Sequence, residues 1–359
     1  MKKTPLYEEH IALGARMAEF GGWEMPIQYA GILAEHEHTR TKAGLFDICH
    51  MGEFELTGPT AVSDLEKLLT LNVSTLAVGQ CRYGFMLNEQ GGVIDDLTCY
   101  RLGEEYYMLV VNAATLDGDS AWIQQRLSPE TIFADLSEGM AKLDVQGPTA
   151  RVELETVFGK KLPDLGYFKA EHFQWLETKM ILSRTGYTGE WGYELYFPAS
   201  EAVRIWRTLL ANPNIKPVGL GARDTLRLEM GYSLYGHELS LDRTPAATSR
   251  GLFIRKSGGF IGEEAVLRDL ESPTQFLVAL EFDSKRAARS HDNVFFQGLE
   301  IGEVTSGSVS PSLGKAVALA FVKAEHAFVG TVLDVEIRSK RFPATVVDLP
   351  FYKNGTARP

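Results

Sequence analysis

YGFMLNEQGGVIDDLTCYRLGEEYYMLVVN, the stretch from Tyr83 to Asn112, decides the fold. Two glycine-containing turn clusters separate three runs rich in aromatic and aliphatic residues, which predicts three antiparallel strands in a meander. The middle strand carries two adjacent carboxylates, Asp95 and Asp96. Because successive side chains of a strand point to opposite faces, only one of these acids can enter a given pocket.

The Asp95-Asp96 pair has two interpretations. Burying an unpaired carboxylate costs several kcal/mol, so an inward-facing acid needs a hydrogen-bonding partner or a chemical task. The first interpretation places one acid in a functional site. The second places both at a solvated strand end beside the Gly91-Gly92 turn, and the residues alone leave both open.

Composition describes an ordinary globular protein. The chain has 359 residues, of which 45% are hydrophobic and 23% charged, enough for two or three domains. A net charge of -11 argues against nucleic acid as a partner. No uninterrupted apolar run reaches about 18 residues, and the basic N-terminus lacks an apolar signal region, so we expect no membrane association and no export.

Cysteine usage indicates a reducing compartment. Cys49, Cys81 and Cys99 lack CxxC spacing and cannot pair completely, so a disulfide framework is not expected. We therefore expect buried free thiols and a cytoplasmic protein.

The first half of the chain contains a short internal repeat. Residues 54–62 and 143–152 each read as a strand, a Gly-Pro turn and a Thr-capped helix start. Two similar strand-turn-helix units, mixed with tight hairpins, predict an α+β fold rather than a doubly wound parallel sheet.

Two further helices are predicted upstream. One covers Tyr7 to Phe20, and the other covers Gly31 to Lys42. The second contains His36 and His38, which lie on different faces of a helix and so favour solvated histidines over a metal pair.

The segment SRTGYTGEWGYE, residues 183–194, suggests a binding site. Its glycine turns bring Tyr187 and Glu194 together, and one aromatic ring plus one carboxylate suits a flat heterocycle with adjacent N-H donors. An ordinary buried tyrosine with a surface glutamate fits the same pattern. The glycine-rich stretches complete neither GxGxxG nor a P-loop, so a nucleotide site is unsupported.

Several motifs in one order resemble the glycine cleavage system T protein family, the aminomethyltransferases. The match spans nearly the whole chain. The motifs are TPLYEEH, FGGWEMPIQY, GLFDICHMGE, GGVIDDL, VVNAA, SRTGYTGEWGYEL, GLGARDTLRLE, LYGHEL, VTSGSVSPSLGKAVALA and PFY.

The resemblance implies a three-domain, cloverleaf-like α+β fold around a central folate channel. Two similar subdomains occupy residues 1–272, and a small β-barrel occupies residues 273–359. Strand-rich runs in the C-terminal part agree independently. These runs are 278–282, 294–304, 316–322, 332–338 and 344–347.

The family's activity is implied in the same way. A lipoyl-carrying H protein presents an aminomethyl group on sulfur. The T protein releases ammonia and passes the carbon to tetrahydrofolate, its co-substrate, giving 5,10-methylenetetrahydrofolate and the reduced lipoyl arm. No metal is implied.

By resemblance, Asp96 lies beside the reacting nitrogens, as a proton acceptor or as a counter-ion to developing positive charge, and Glu194 accepts hydrogen bonds from the pterin edge. The other implied folate-site residues are Tyr83, Asn112, Tyr167, Tyr187 and Arg223. Without the resemblance, Tyr83 and Tyr167 read as core aromatic residues, and Arg223 as a partner of Asp224 or a helix cap.

The sequence departs from the family pattern at residues 245–250, at residues 116–119 and at Leu71. These departures leave the one-carbon donor open. A folate-dependent demethylase of a small methylated amine or sulfur compound is one alternative. A non-catalytic folate-binding relative in iron-sulfur protein maintenance is another, although residues 256–264 lack the cysteine that marks it.

Glu194→Ala is expected to weaken tetrahydrofolate binding. The substitution would leave buried N-H donors of the ligand without an acceptor, at a cost of about 1–3 kcal/mol. Fluorescence titration measures the dissociation constant, and an unchanged value would remove Glu194 from the folate site.

Overall fold

The structure is a computed structural model that describes residues 1–249, 251–255 and 257–358. Two sequence features fall partly outside this range. Arg250, which ends the divergent segment 245–250, and Lys256, which begins the segment 256–264, lie outside the described residues.

Strands dominate the described chain. In chain order they are β1 (Arg16–Phe20), β2 (Trp23–Gln28), β3 (Ala43–Asp47), β4 (Gly52–Thr57), β5 (Gln80–Leu87), β6 (Val93–Gly103), β7 (Tyr106–Val111), β8 (Ile132–Asp135), β9 (Met140–Gln146), β10 (Ala170–Trp175), β11 (Thr178–Ser183), β12 (Gly192–Pro198), β13 (Ile215–Pro217), β14 (Gln275–Phe282), β15 (Asn293–Phe296), β16 (Leu299–Val309), β17 (Ala316–Lys323), β18 (Val332–Ile337) and β19 (Lys340–Val347).

The helices are short. They are α1 (Tyr7–Ala12), α2 (Ile32–Thr41), α3 (Ala61–Leu68), α4 (Leu116–Gln124), α5 (Ala150–Phe158), α6 (Ala202–Leu210), α7 (Leu220–Met230), α8 (Ala246–Ser249) and α9 (Glu263–Glu271). Within the described ranges, none of them combines the length and the apolar composition needed to cross a bilayer.

The strands form two sheets, a hairpin and a barrel, and in both sheets the strand order differs from the order in the chain. The first sheet has the order β5-β6-β7-β4-β8 and the second β10-β11-β12-β9-β3-β13, while β1 pairs with β2. The C-terminal strands close into a barrel with the order β14-β17-β16-β15-β18-β19. The predicted meander, the α+β class and the C-terminal barrel are confirmed.

The repeated strand-turn-helix units are also confirmed, as β4 to α3 and β9 to α5. Each turn begins with a glycine at positive φ, +118° at Gly58 and +142° at Gly147, where other residues are strained. Thr60 and Thr149 occupy the N-cap positions as expected, but neither side chain makes a capping hydrogen bond. Thr60 instead hydrogen-bonds the hydroxyl of Thr131 at 2.8 Å.

The predicted helix from Tyr7 to Phe20 is wrong in its second half. Helix α1 ends at Ala12, and Gly14 follows with a φ of +73° that stops the helix. The chain then enters β1, which pairs with β2 across the Gly21-Gly22 turn. Pairing with a neighbouring strand outweighs local helix preference here.

The barrel differs from the predicted runs at one position. The run 294–304 is two strands, β15 and β16, separated by the tight turn at Gln297 and Gly298. Before the barrel, α9 ends at Glu271 and β14 begins at Gln275. We keep the division between residues 272 and 273 as our proposed domain boundary.

The three cysteines fit their predicted role as small core residues. Cys49, Cys81 and Cys99 are free and buried.

A buried ionic network joins α2, α7 and the segment before β12 to the barrel. Arg40 on α2 binds Glu229 of α7 and Glu190, each at 2.9 Å, and all three side chains are at most 5% exposed. Glu229 also accepts hydrogen bonds from Ser310 and Ser312 in the loop before β17. Burial opposes ionisation of Glu229, but His36, Ser310 and Arg40 lower its pKa to about 2.

The expectation of a solvated His36 is therefore wrong. Its Nε2 lies 3.2 Å from Glu229, and the residue is 1% exposed. His38 is half-buried and contacts the carbonyl oxygen of Asn214 at 2.9 Å. In the part of the chain that the structure describes, no group of three or more His, Cys, Asp or Glu side chains is arranged to hold a metal ion.

Arg40→Leu is expected to lower the free energy of unfolding by about 3–5 kcal/mol, because it leaves buried Glu229 and Glu190 without their shared cation. Urea denaturation measures this. The control is Lys315→Leu, which removes the solvent-screened pair with Glu281 and should leave the free energy of unfolding close to the wild-type value. Equal losses in both variants would contradict the role of the network.

Candidate functional site

The Asp95-Asp96 pair lies at the start of β6, with its two side chains on opposite faces as the alternation predicts. Asp96 is half-buried. Its Oδ2 accepts a hydrogen bond from the hydroxyl of Tyr83 at 2.9 Å, and its Oδ1 accepts one from Nδ2 of Asn112 at 3.0 Å. Burial and the charge of Asp95 raise the pKa of Asp96 to about 7. This carboxyl group can therefore gain or lose a proton near neutrality.

Asp95 faces the core beneath the sheet and is fully buried. Its Oδ2 accepts the backbone N-H of Asn112 at 2.9 Å, and its Oδ1 accepts the side-chain amide of Asn112 at 2.8 Å. The interpretation that both acids sit at a solvated strand end is wrong. Both carboxylates are held by one residue, Asn112, which directly follows β7.

The segment after α7 covers the beginning of β6. The backbone N-H of Val93 donates to the carbonyl oxygen of Ser240 at 2.9 Å. A Cβ atom at Gly92 would lie 1.7 Å from the carbonyl oxygen of Leu241, so only glycine permits this approach.

Glu194 lies on the second sheet, in β12, and is buried. Its Oε2 accepts hydrogen bonds from Thr185 at 2.5 Å, Tyr196 at 3.2 Å and Tyr100 at 3.4 Å. Its Oε1 is 3.3 Å from Nζ of Lys142. Burial opposes ionisation, but Lys142, the Thr185 hydroxyl and Arg223 hold the pKa of Glu194 below its ordinary value. Glu194 is thus a buried carboxylate.

Arg223 on α7 extends this charged group. Its Nη1 donates to Oδ2 of Asp144 at 3.1 Å, and Asp144 pairs directly with Glu194 across β9 and β12. Burial and the charge of Glu194 raise the pKa of Asp144 to about 7, against the effect of Arg223. The alternative pairing of Arg223 with Asp224 is wrong, since Asp224 accepts from Arg227 at 2.8 Å.

Tyr187 interacts with Arg223 of the group around Glu194 and, electrostatically, with Asp96. Its ring centroid is 5.0 Å from the Arg223 guanidinium, and its hydroxyl donates to the carbonyl oxygen of Ser233. Burial raises the pKa of Tyr187, with a smaller contribution of the same sign from Asp96. Tyr187 therefore lies within electrostatic reach of Asp96 and beside Arg223.

Tyr167 contacts Arg358 and Tyr232. The Arg358 guanidinium is 5.3 Å from its ring, and Tyr232, a hydrogen-bonding neighbour of Tyr167, is 5.6 Å from the ring of Tyr187. The predicted site residues thus form two contacting groups, one around Asp96 and one around Arg223 and Glu194, and the charge of Asp96 acts on Tyr187 of the second group.

Sequence reasoning missed Lys142, Tyr232 and Arg358. A lysine between Ala141 and Leu143 in an apolar strand is a usable signal for the first of these. Arg358 carries no comparable signal, because the chain alone does not indicate where its C-terminal segment packs.

A cavity of about 450 Å³ opens elsewhere. It is lined by Val78, Gly79, Leu102, residues 164–166 and residues 169–172, none of which is a predicted site residue. We propose the candidate site at Asp96, Tyr187 and Glu194 because each of these ionisable groups is held by specific contacts, Asp96 by Tyr83 and Asn112, Tyr187 by Arg223, and Glu194 by Lys142 and Thr185.

The positions that depart from the family pattern lie around this set. Leu71 is buried and packs on Gly84, where an added Cβ atom would lie 2.4 Å from its side chain. Residues 116–119 open α4 and bury Asp119.

Comparison with known proteins agrees with the fold. The family model for the GCVT N-terminal domain matches residues 6–258, and the model for the glycine cleavage T-protein C-terminal barrel domain matches residues 276–353. The aminomethyltransferase of Desulforamulus reducens is 43% identical, with 98% of each chain covered. That of Herpetosiphon aurantiacus is 44% identical, covering 98% of this chain and 99% of the relative.

A solved structure gives the same result. The crystal structure of glycine cleavage system aminomethyltransferase T from Bartonella henselae superposes with a TM-score of 0.93 at 36% identity, with 99% of each chain covered. Fold and sequence thus define a one-carbon transferase built from a GCVT domain and a C-terminal barrel. The chain belongs to the glycine cleavage T-protein family, the aminomethyltransferases. The resemblance seen in the sequence motifs is confirmed.

Tyr83→Phe is expected to raise the pKa of Asp96 above about 7, because it removes a hydrogen bond that stabilises the carboxylate. Carboxyl ¹³C NMR titration measures the shift. Tyr106→Phe, at the other end of the sheet beside Glu55, should leave the titration unchanged. An Asp96 pKa that does not move in Tyr83→Phe would contradict the hydrogen bond.

Proposed function

We propose that this protein transfers the methylene carbon of an aminomethyl group, carried on the lipoyl arm of an H protein, to tetrahydrofolate. Ammonia, 5,10-methylenetetrahydrofolate and the reduced lipoyl arm are the products. The observation that carries the proposal is the Asp96 carboxyl, held by Tyr83 and Asn112 beside Tyr187, with a pKa of about 7. Family membership supports the identity of the reaction.

Glu194 is the proposed acceptor for the pterin edge. Lys142 and Thr185 stabilise its charged form, and a carboxylate can accept two parallel N-H hydrogen bonds from a flat heterocycle. This carboxylate acceptor therefore fits the N-H donors of a pterin edge.

The other proposed folate-binding residues are Tyr83, Asn112, Tyr167, Tyr187 and Arg223. The tyrosine rings offer apolar faces for the folate rings, and Arg223 adds positive charge beside Tyr187. Asn112 orients Asp96 directly.

Asp96 is the proposed catalytic residue. With a pKa near neutrality its carboxylate can take up the proton that a folate nitrogen loses as the new C–N bond forms, or balance positive charge that develops at the reacting nitrogen. General-base help of this kind is worth about 10²- to 10⁴-fold. Holding both reactants at this carboxylate supplies a further advantage, because it replaces a bimolecular encounter with a positioned one.

We further propose a cytoplasmic location, with the lipoyl H protein and tetrahydrofolate as partners. The three free, buried thiols suit a reducing compartment.

Asp96→Asn is expected to lower kcat for ammonia release by about 10²- to 10⁴-fold, with little change in tetrahydrofolate affinity. The assay incubates the protein with tetrahydrofolate and aminomethylated H protein. In the wild type, kcat should fall about tenfold per pH unit below about 7, because the carboxylate is the active form and is progressively protonated there.

Asp334→Asn in the barrel strand β18 serves as the matched control and should retain wild-type kcat. Wild-type protein that releases no ammonia from this donor, yet turns over a methylamine or a methylsulfonium compound, would overturn the proposal in favour of a folate-dependent demethylase.

A further inference from the structure

Asp119 is a fully buried carboxyl group on α4 that the proposed mechanism leaves without a task. It is 0% exposed, and among the described residues neither carboxyl oxygen has a hydrogen-bond partner of good geometry. The Thr115 hydroxyl lies close enough to lower the pKa of Asp119, but its well-formed hydrogen bond goes to the carbonyl oxygen of Asn112 at 3.1 Å. A buried carboxylate without donors costs several kcal/mol, so its neighbour must supply a proton.

That neighbour is Asp95. The carboxyl groups of Asp119 and Asp95 lie within hydrogen-bonding reach of one another. Two carboxylates in such contact cannot both be ionised in a buried site, and one proton between them converts repulsion into a hydrogen bond. Burial acts in the same direction and raises the pKa of both groups.

Among the described residues, the groups that act electrostatically on the pair include no positive charge. The ionisable groups that face it are Asp96 on β6, Tyr83 on β5 and Tyr235 in the segment after α7. All three carry a negative charge when they ionise. A second negative charge on the pair would therefore be disfavoured from every side.

Asp95 connects this pair to the candidate catalytic residue. Its two oxygens accept the backbone and side-chain N-H groups of Asn112, and the same side-chain amide donates to Asp96. A rotation of the Asp95 carboxyl group would therefore shift the Asn112 amide away from Asp96.

We infer that Asp95 and Asp119 share one proton, and that this hydrogen-bonded pair fixes Asn112 and, through it, the Asp96 carboxylate. Asp119 is thus a positioning residue that acts through two others. The inference rests on the proposed function of Asp96. It adds that the carboxyl groups of Asp95 and Asp119, which take no part in the proposed chemistry, maintain the geometry of Asp96.

The test compares Asp119→Asn with Asp119→Leu. The asparagine amide replaces the shared proton as a donor to Asp95, so kcat should stay within about threefold of the wild type. The leucine has similar size but no donor, so kcat should fall roughly 10- to 100-fold while tetrahydrofolate affinity holds. Rescue by asparagine separates positioning from a loss of folding, which circular dichroism monitors in both variants.

The pH profile gives a second readout that a merely structural role would not move. At high pH the wild-type pair loses its last proton and carries two charges, so kcat should decline there. Asp119→Asn has no such proton, and its profile should lack this alkaline decline.

Infrared spectroscopy tests the proton without turnover. The wild type at pH 7 should show the C=O stretch of a buried protonated carboxyl group that is absent from Asp119→Asn. Wild-type kcat in Asp119→Leu, or identical infrared spectra for the wild type and Asp119→Asn, would overturn the inference. A wild type inactive with the H-protein donor, but with the infrared difference present, would overturn the proposed function alone.

Discussion

The side-chain amide of Asn112 fixes the positions of the two acids at the candidate site. Asp95 and Asp96 are neighbours in the chain and point to opposite faces of β6, so no group within their own strand can bind both. Asn112 can, because it follows the last residue of β7, where sheet pairing ends and its backbone N-H is free to bind Asp95. Its side chain then reaches Asp96. Asn112, at the end of β7, thus donates hydrogen bonds to both acids.

In the second sheet, basic side chains stabilise a pair of buried carboxyl groups. Glu194 and Asp144 are cross-strand neighbours, and two adjacent buried carboxylates would repel one another. Lys142 and Arg223 approach from β9 and α7 and offset that repulsion. The result is a buried group in which Glu194 stays ionised, which is the state that can accept N-H donors from a ligand.

Helix α7 couples this site to the barrel. Arg223 faces the site. Arg227, one turn later, donates to Glu238 at 3.1 Å and to Ser306 of β16 at 2.8 Å. Glu229, near the helix end, binds Arg40 and Ser310. Because buried ion pairs tolerate little displacement, the barrel fixes the position of the helix that carries Arg223.

Local patterns in the sequence determined the strand meander, the two strand-turn-helix units, the barrel strands and the opposite facing of Asp95 and Asp96. Each follows from side-chain alternation and glycine turns, which act over a few residues. Tertiary structure decided the rest: that the segment before Phe20 becomes a strand, that His36 is buried on Glu229, and that Asn112, Lys142 and Asp119 become partners of the acids. The strand before Phe20 depends on backbone pairing with β2. The other outcomes depend on polar contacts between residues farther apart in the chain, and burial makes such contacts obligatory only once the chain has folded.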